Sequence, residues 1–267
     1  MKKLSIAIIL ILLAVIGLLL WQRKKDAMIT STNDTFTDTN ATSTPEQITT
    51  QTGGDVLNGE EAREIKSDEQ YISIDAKYPK FSDSNISKSV KDFVVSSIAS
   101  FKIENNIDNL TQTDKDFIFQ NGAKYQYNVD YKTYTTDTLG TVVVLMANYT
   151  GGAHGNLVVK SLNYNNNSQQ LTIGDLFQPE SDYLTRLSEI SRQKLPAVLG
   201  DNIGAWSDDG TAPTSDNFQT FYMKDKNTLN IVFQPYQVAP WVAGSPEISI
   251  DIPSELSDII NPQFLNQ

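Results

Sequence analysis

The stretch from Tyr125 to Tyr164 constrains this chain most, because it holds three β-prone runs in close succession. Tyr125-Gln-Tyr-Asn-Val-Asp-Tyr131 alternates apolar and polar residues, as a strand with one solvated face does. Thr141-Val-Val-Val-Leu-Met-Ala-Asn-Tyr149 is apolar nearly throughout, which predicts a more central strand. Leu157-Val-Val-Lys-Ser-Leu-Asn-Tyr164 resumes strand character. With a hairpin turn over Thr136–Gly140, the three runs predict an antiparallel meander.

The flanking sequence adds helices and further strands. Tyr71–Tyr78 alternates and ends at Pro79. Ser82-Asp-Ser84 offers helix caps, and Ile86, Val90, Phe93, Val94, Ile98 and Phe101 then recur at three- and four-residue spacing, which predicts an amphipathic helix with one core face. After the polar turn Asn165–Ser168, Leu171-Thr-Ile173 reads as a short strand. Ser181–Leu195 predicts a second helix, with Pro196 just past its end. Ala205–Ser215 is polar and loop-like. Phe218–Met223 and Leu229–Phe233 flank Asp225-Lys-Asn227 as a hairpin, Glu247–Ile252 alternates as a last strand, and Ser254 caps a short helix over Glu255–Ile260. The class is α+β, with antiparallel sheets and packed helices. The order of elements suggests two consecutive lobes, 67–164 and 165–260.

Leu4 to Trp21 is an almost unbroken apolar run. Eighteen helical residues at about 1.5 Å each cover roughly 27 Å, close to a hydrocarbon core of about 30 Å. Trp21-Gln-Arg-Lys-Lys25 follows directly, with no small-residue cleavage site, so residues 1–25 read as an uncleaved signal anchor and transmembrane helix. The chain after Lys25 is then expected outside the cell membrane as a single-pass extracytoplasmic domain. Residues 26–66 are rich in Thr, Asn, Asp and Gln with few large apolar groups, a composition expected to give a disordered tether.

Charge and composition narrow the function. Five of the 21 basic residues, Lys2, Lys3, Arg23, Lys24 and Lys25, flank the apolar run, which leaves 16 basic residues against 32 acidic ones in the rest. A domain of about −16 is repelled by nucleic acid and steers basic partners toward itself. There is no cysteine, so thiolate catalysis, thiolate metal sites and disulfides are excluded. There is no G-x-S-x-G elbow, no G-x-G-x-x-G and no Walker loop, so no cofactor, metal or catalytic residue is assigned. Asp208-Asp209 beside Trp206, and Asp114 and Asp116 near Phe117, leave carboxylate chemistry such as cell-wall hydrolysis as a minor alternative.

The positive signal lies in two irregular segments. Tyr149-Thr-Gly-Gly-Ala-His-Gly-Asn156 carries the only histidine, His154. Phe233-Gln-Pro-Tyr-Gln-Val-Ala-Pro-Trp-Val-Ala-Gly244 carries two prolines that stiffen a loop bearing two aromatic rings. Rigid Tyr and Trp side chains dominate binding hot spots. Tyr149, Gly151, Gly152, His154, Pro235, Tyr236, Pro240 and Trp241 are therefore the candidate partner-binding residues, expected on one exposed face. The bland alternative has Tyr236 and Trp241 plugging the core.

Tyr149–Gly155, Leu171-Thr-Ile-Gly-Asp-Leu-Phe177 and Phe233–Gly244 together resemble an extracytoplasmic module. It is similar to the outer part of RsiV-type lysozyme-binding anti-sigma factors and to the non-catalytic region preceding the deacetylase domain of PdaC-type peptidoglycan deacetylases, over about residues 67–256. The His-x-x-x-His metal motif of the deacetylase domain is absent here. The resemblance implies a binding module at the cell envelope whose partner is a basic secreted protein such as lysozyme, with a cell-wall glycan as the alternative.

Overall fold

The computed structural model describes residues 38–39 and 56–265. The expected anchor and most of the expected tether lie outside the described residues. Among the described residues no helix is long and apolar enough to cross a membrane. The described residues form two sheets, one of seven strands in the order β1 to β7 and one of three in the order β10-β9-β8.

The first sheet comprises β1 (Asp38–Thr39), β2 (Glu61–Asp68), β3 (Ile72–Lys80), β4 (Tyr125–Thr135), β5 (Gly140–Tyr149), β6 (Asn156–Tyr164) and β7 (Gln170–Leu171). The meander β4–β5–β6 is antiparallel, in the register Val129↔Met146 and Leu145↔Val159. The expectation of wholly antiparallel pairing is corrected at β3 and β4, which run parallel with Ile74 opposite Tyr127. The reason is the intervening helix α1 (Ser84–Glu104). It carries the chain back along the sheet, so the next strand enters from the same end.

Helix α1 starts where Asp83 accepts hydrogen bonds from the amides of Asn85 and Ile86. Its buried stripe is Ile86, Val90, Val94, Ile98 and Phe101. Each such side chain contributes about 1.5–3 kcal/mol on burial, so the stripe gives on the order of 10 kcal/mol before ordering costs. It packs on the face of the sheet that bears Ile74, Ala76, Tyr127 and Val129.

The tether expected over 26–66 stops earlier. Leu57 is buried, its amide donates to Thr135 Oγ1, and Glu61–Asp68 forms β2. Two charged positions of β2, Glu64 and Lys66, share the face away from α1 with Lys77 and Asp75 of β3, and Glu64 is buried against Lys66, so the strand shows little apolar alternation. Helix α2 (Gln112–Ile118) follows α1; it buries no residue and is held by a capping box between Thr111 and Asp114.

The second sheet contains β8 (Phe221–Asp225), β9 (Thr228–Val232) and β10 (Glu247–Asp251). It packs with α3 (Tyr183–Leu199) around Leu187, Leu195, Phe221, Leu229, Ile231, Phe233 and Ile250. Pro196 lies inside α3 rather than beyond it. The helix continues because Leu195 and Leu199 are both buried, and tertiary packing outweighs the missing donor. Three further expectations shift. Ile173–Leu176 is a 3-10 turn rather than strand, Ser207–Gly210 forms a short helix α4, and the last helix, α5, spans Ile252–Glu255 with Asp251 as its cap. The two sheets meet through Val143, Val159, Tyr222 and Val232, with Tyr134 stacked on Tyr222 at 3.8 Å.

Candidate functional site

Each of the two irregular segments begins where a strand ends. β5 runs out at Tyr149, and the chain returns into β6 at Asn156 through Gly151 and Gly152, whose φ values are +91° and +102°. Only glycine takes these values without strain. An added Cβ at either position would meet nothing within 4 Å, so the backbone alone sets the requirement. The Tyr149 hydroxyl donates to the Gly152 carbonyl at 3.0 Å and closes the loop. Gly155 is required for a different reason, because a Cβ there would lie 2.8 Å from the Asn148 carbonyl oxygen.

The second segment leaves β9 and turns at once. The Gln237 amide donates to the Gln234 carbonyl at 3.0 Å, which makes Pro235 and Tyr236 the central pair of a β-turn. Proline holds φ near −65°, and Tyr236 has φ +67°, the combination of a type II turn. That position is normally glycine or asparagine, and a side chain in left-handed backbone costs about 1–2 kcal/mol. Such a cost persists where the surroundings hold it in place. Here the Gln237 side chain donates to the carbonyls of Gly210 and Asn217, and its Oε1 accepts the Gln234 amide.

The two segments are neighbours. The single carbonyl of Gly155 accepts from His154 Nδ1 at 2.7 Å and from Trp241 Nε1 at 3.1 Å. A carbonyl cannot donate, so the bond to Gly155 is made by a proton on His154 Nδ1. The Tyr236 hydroxyl lies 3.4 Å from His154 Nε2, within hydrogen-bonding reach. The His154 ring centre lies 4.8 Å from that of Trp241 and 6.5 Å from that of Tyr236. The Gln234 side chain also crosses to the first sheet. It accepts from the Val159 amide at 2.9 Å and donates to the Val159 carbonyl at 2.6 Å, completing the edge of β6 as a neighbouring strand would.

All eight candidate residues therefore lie on these two adjoining segments. Tyr236 is 53% exposed and Tyr149 39%, while Trp241, Pro235 and Pro240 are half-buried and His154 is exposed. Neither Tyr236 nor Trp241 belongs to the core. Two residues that pattern reasoning did not assign join the face. Trp206, 42% exposed, donates from Nε1 to the Tyr236 carbonyl at 2.7 Å, and Val242 is 82% exposed. Trp206 stood in a polar loop with no periodicity, and a long-range bond to a backbone carbonyl leaves no sequence signal. Of the four aspartates considered for carboxylate chemistry, Asp114 caps α2, Asp116 accepts from Gln112 and Asp208 lies 3.5 Å from Arg192. Among the described residues no group of three or more His, Cys, Asp or Glu side chains could hold a metal ion.

Comparison with known proteins gives a consistent picture. Over 196 residues the chain is 32% identical to the peptidoglycan-N-acetylmuramic acid deacetylase PdaC of Bacillus subtilis (strain 168), with 71% of this chain and 39% of that protein covered. The chain thus spans about two fifths of the length of this curated relative. A crystal structure of a DUF3298 family member from Bacteroides fragilis NCTC 9343 aligns with a TM-score of 0.57 at 19% identity, covering 78% of this chain and 97% of that one. A DUF3298 family protein from Pseudomonas aeruginosa PAO1 aligns with a TM-score of 0.51 at 16% identity, covering 79% and 99%. At these identities the two structures share the fold. Residues 65–157 match the family described as Deacetylase PdaC and residues 174–252 the family described as Protein of unknown function (DUF3298), so the chain carries a PdaC-family segment followed by a DUF3298-family segment.

Proposed function

We propose that this chain is a binding module at the outer side of the cell envelope, tethered through Leu4–Trp21, and that it captures a basic secreted protein such as lysozyme on the face built by His154, Tyr236, Trp241 and Trp206. The observation that carries the reading is the shared Gly155 carbonyl, which ties the His154 loop to the Trp241 loop and leaves Tyr236 and Trp206 rings half in solvent. A turn that holds a tyrosine in left-handed backbone is retained at a cost to stability, which favours a role for the ring outside the fold. Rigid aromatic anchors at the centre of a face lose little entropy on binding. The acidic surplus supplies long-range steering toward a cationic partner. The resemblance to RsiV-type proteins and the name of the curated relative, a peptidoglycan-N-acetylmuramic acid deacetylase, support a setting at the peptidoglycan layer.

One observation favours a cell-wall glycan as a second reading. Both indole N–H groups, of Trp206 and Trp241, are taken up by backbone carbonyls, which fixes the ring planes and suits them to stack on sugar rings. Retention assays separate the two. The protein, solubilised in detergent and immobilised, is expected to retain basic lysozyme at low salt and to release it at high salt, as screened electrostatic steering requires. Retention of purified peptidoglycan with no salt dependence, and none of lysozyme, would favour the glycan. Failure to retain either would refute the module's proposed role.

A further inference from the structure

We propose that the outer edge of β10 is a second binding site, which takes a short extended peptide carrying lysine or arginine as an added strand. The site is separate from the aromatic loops and does not rest on the capture of lysozyme. β10 is an edge strand of the second sheet and pairs with β9 alone. The Phe233 amide donates to the Pro246 carbonyl at one end of that pair, and the Ile252 amide donates to the Asn227 carbonyl at the other. Such bonds recur at every second residue of an antiparallel pair. Ile248 and Ile250 therefore turn their N–H and C=O groups toward β9, and Glu247 and Ser249 turn theirs outward. No hydrogen bond among the described residues uses those outward groups. The next outward amide, of Asp251, is already taken by the Glu255 carboxylate at 2.8 Å. Strand edges are normally short, covered or blocked. This one opens into a cavity of about 490 Å³, lined by Lys194, Ala197 and Val198 of α3 and by Glu247, Ser249 and Glu255. An open strand edge inside a groove is the arrangement that accepts an extended peptide through main-chain hydrogen bonds.

Side-chain chemistry selects the peptide. Residues of an added strand that lie opposite Glu247 and Ser249 share their face, and the alternate residues share the face of Ile248 and Ile250, which α3 covers. On the first face the Glu247 carboxylate accepts from the Tyr222 hydroxyl at 2.5 Å and from the Asn230 side-chain amide, and it has no cationic partner among the described residues. Lys194, the lysine of the cavity, is engaged by Glu255 at 3.0 Å. With Asp251 at its end, the edge sets three carboxylates against one amine. On the second face Val198 is 51% exposed. Basic residues alternating with apolar ones match both faces at once. Two other occupants match less well. A second copy of β10, paired antiparallel about Ser249, would set Glu247 directly opposite Asp251 on both sides, and like charges so placed repel. The N-terminal stretch 26–62 of this chain holds no lysine or arginine.

The test is fluorescence anisotropy of a labelled, end-capped Lys-Val-Lys-Val-Lys peptide titrated with the full chain in detergent. Half-saturation is expected below about 1 mM, with no binding of Glu-Val-Glu-Val-Glu over the same range. N-methylation of one alternate set of the peptide's amides is expected to abolish binding and of the other set to leave it, because only one edge of an added strand faces β10. Ser249→Pro removes an outward donor while keeping the bonds to β9, a place where an edge strand tolerates proline. It is expected to weaken binding about tenfold or more, and Glu247→Gln about fivefold. Absence of binding of the lysine peptide up to about 1 mM, equal binding of the glutamate peptide, or equal tolerance of both methylation patterns would overturn the proposal. The methylation comparison uses the wild-type protein and so decides the matter even if Ser249→Pro fails to fold. Self-association abolished by Ser249→Pro, with no peptide bound, would assign the edge to a second copy and overturn it as well.

Discussion

Replacing Gln234 with alanine tests how the two sheets are locked together. The Gln234 amide makes three bonds: it accepts from the Val159 amide at 2.9 Å, donates to the Val159 carbonyl at 2.6 Å, and donates to Thr220 Oγ1 at 3.2 Å. Val159 is only 3% exposed, so truncation strands a buried donor, the Val159 amide, while the Val159 carbonyl keeps the Thr220 hydroxyl at 3.2 Å. An unsatisfied buried backbone group costs about 1–3 kcal/mol. Gln234 itself is half-buried, which lets water reach part of the vacated space, so the loss is taken in the lower half of that range, at about 1–2 kcal/mol. With a urea slope of about 2 kcal/mol/M for a domain of this size, the midpoint should fall by about 0.5–1 M. Hydrogen exchange at the Val159 amide should accelerate in step. Gln234→Glu is the informative control. It keeps an acceptor for the amide but sets a carboxylate against the Val159 carbonyl, and it should be no better than alanine. A loss below about 0.5 kcal/mol in Gln234→Ala would refute the claim that this side chain substitutes for a missing strand.

Two further perturbations follow from the same geometry. Gly210→Ala would put a Cβ 1.9 Å from the Gln237 carbonyl oxygen, so backbone must move; a loss of about 1–3 kcal/mol is expected, read as a drop of about 3–10 °C in thermal midpoint. The Asp83 carboxyl is held below the usual carboxylate range by the Ser168 hydroxyl first and then by the Ile86 and Asn85 amides. A depressed folded-state pKa gives stability that is present above the unfolded value of about 3.9 and is lost as pH falls through the lower folded value. Asp83→Asn keeps the helix cap, so below about pH 4 its stability should fall less steeply with acid than wild type in pH-dependent urea titrations.

Much of the fold is legible in the sequence where burial is one-sided. The α1 stripe, the β4–β5–β6 meander and the Asp225–Asn227 hairpin all announce themselves by periodicity, because each exposes one face and buries the other. Elements whose stability comes from elsewhere do not. β2 carries charges on the face away from α1, one of them buried, α2 buries nothing, and the parallel pairing of β3 with β4 depends on where α1 lands rather than on any local pattern. Leu57 reads as a tether residue because its burial depends on contacts with residues some 80 positions away, such as Thr135.

The candidate site divides in the same way. Glycine and proline mark both loops, since positive φ and fixed φ are written in residue type. The bonds that join them end on backbone carbonyls, of Gly155, Tyr236 and Val159, which every residue has and which no sequence pattern distinguishes. Trp206 and Gln234 are visible as part of the arrangement only in three dimensions. The left-handed tyrosine at 236 runs against its own signal, since a Pro-Tyr pair does not ordinarily predict a turn with positive φ at its second central position.

Amide hydrogen exchange of the protein with and without saturating basic lysozyme tests the central claim most directly. One face built from two distant loops predicts that the segments 150–156 and 234–244 gain protection together, and that Tyr236→Ala abolishes both gains at once. Protection confined to one segment, or to the pocket lined by Lys194, Val198 and Glu247 between α3 and β10, would contradict it.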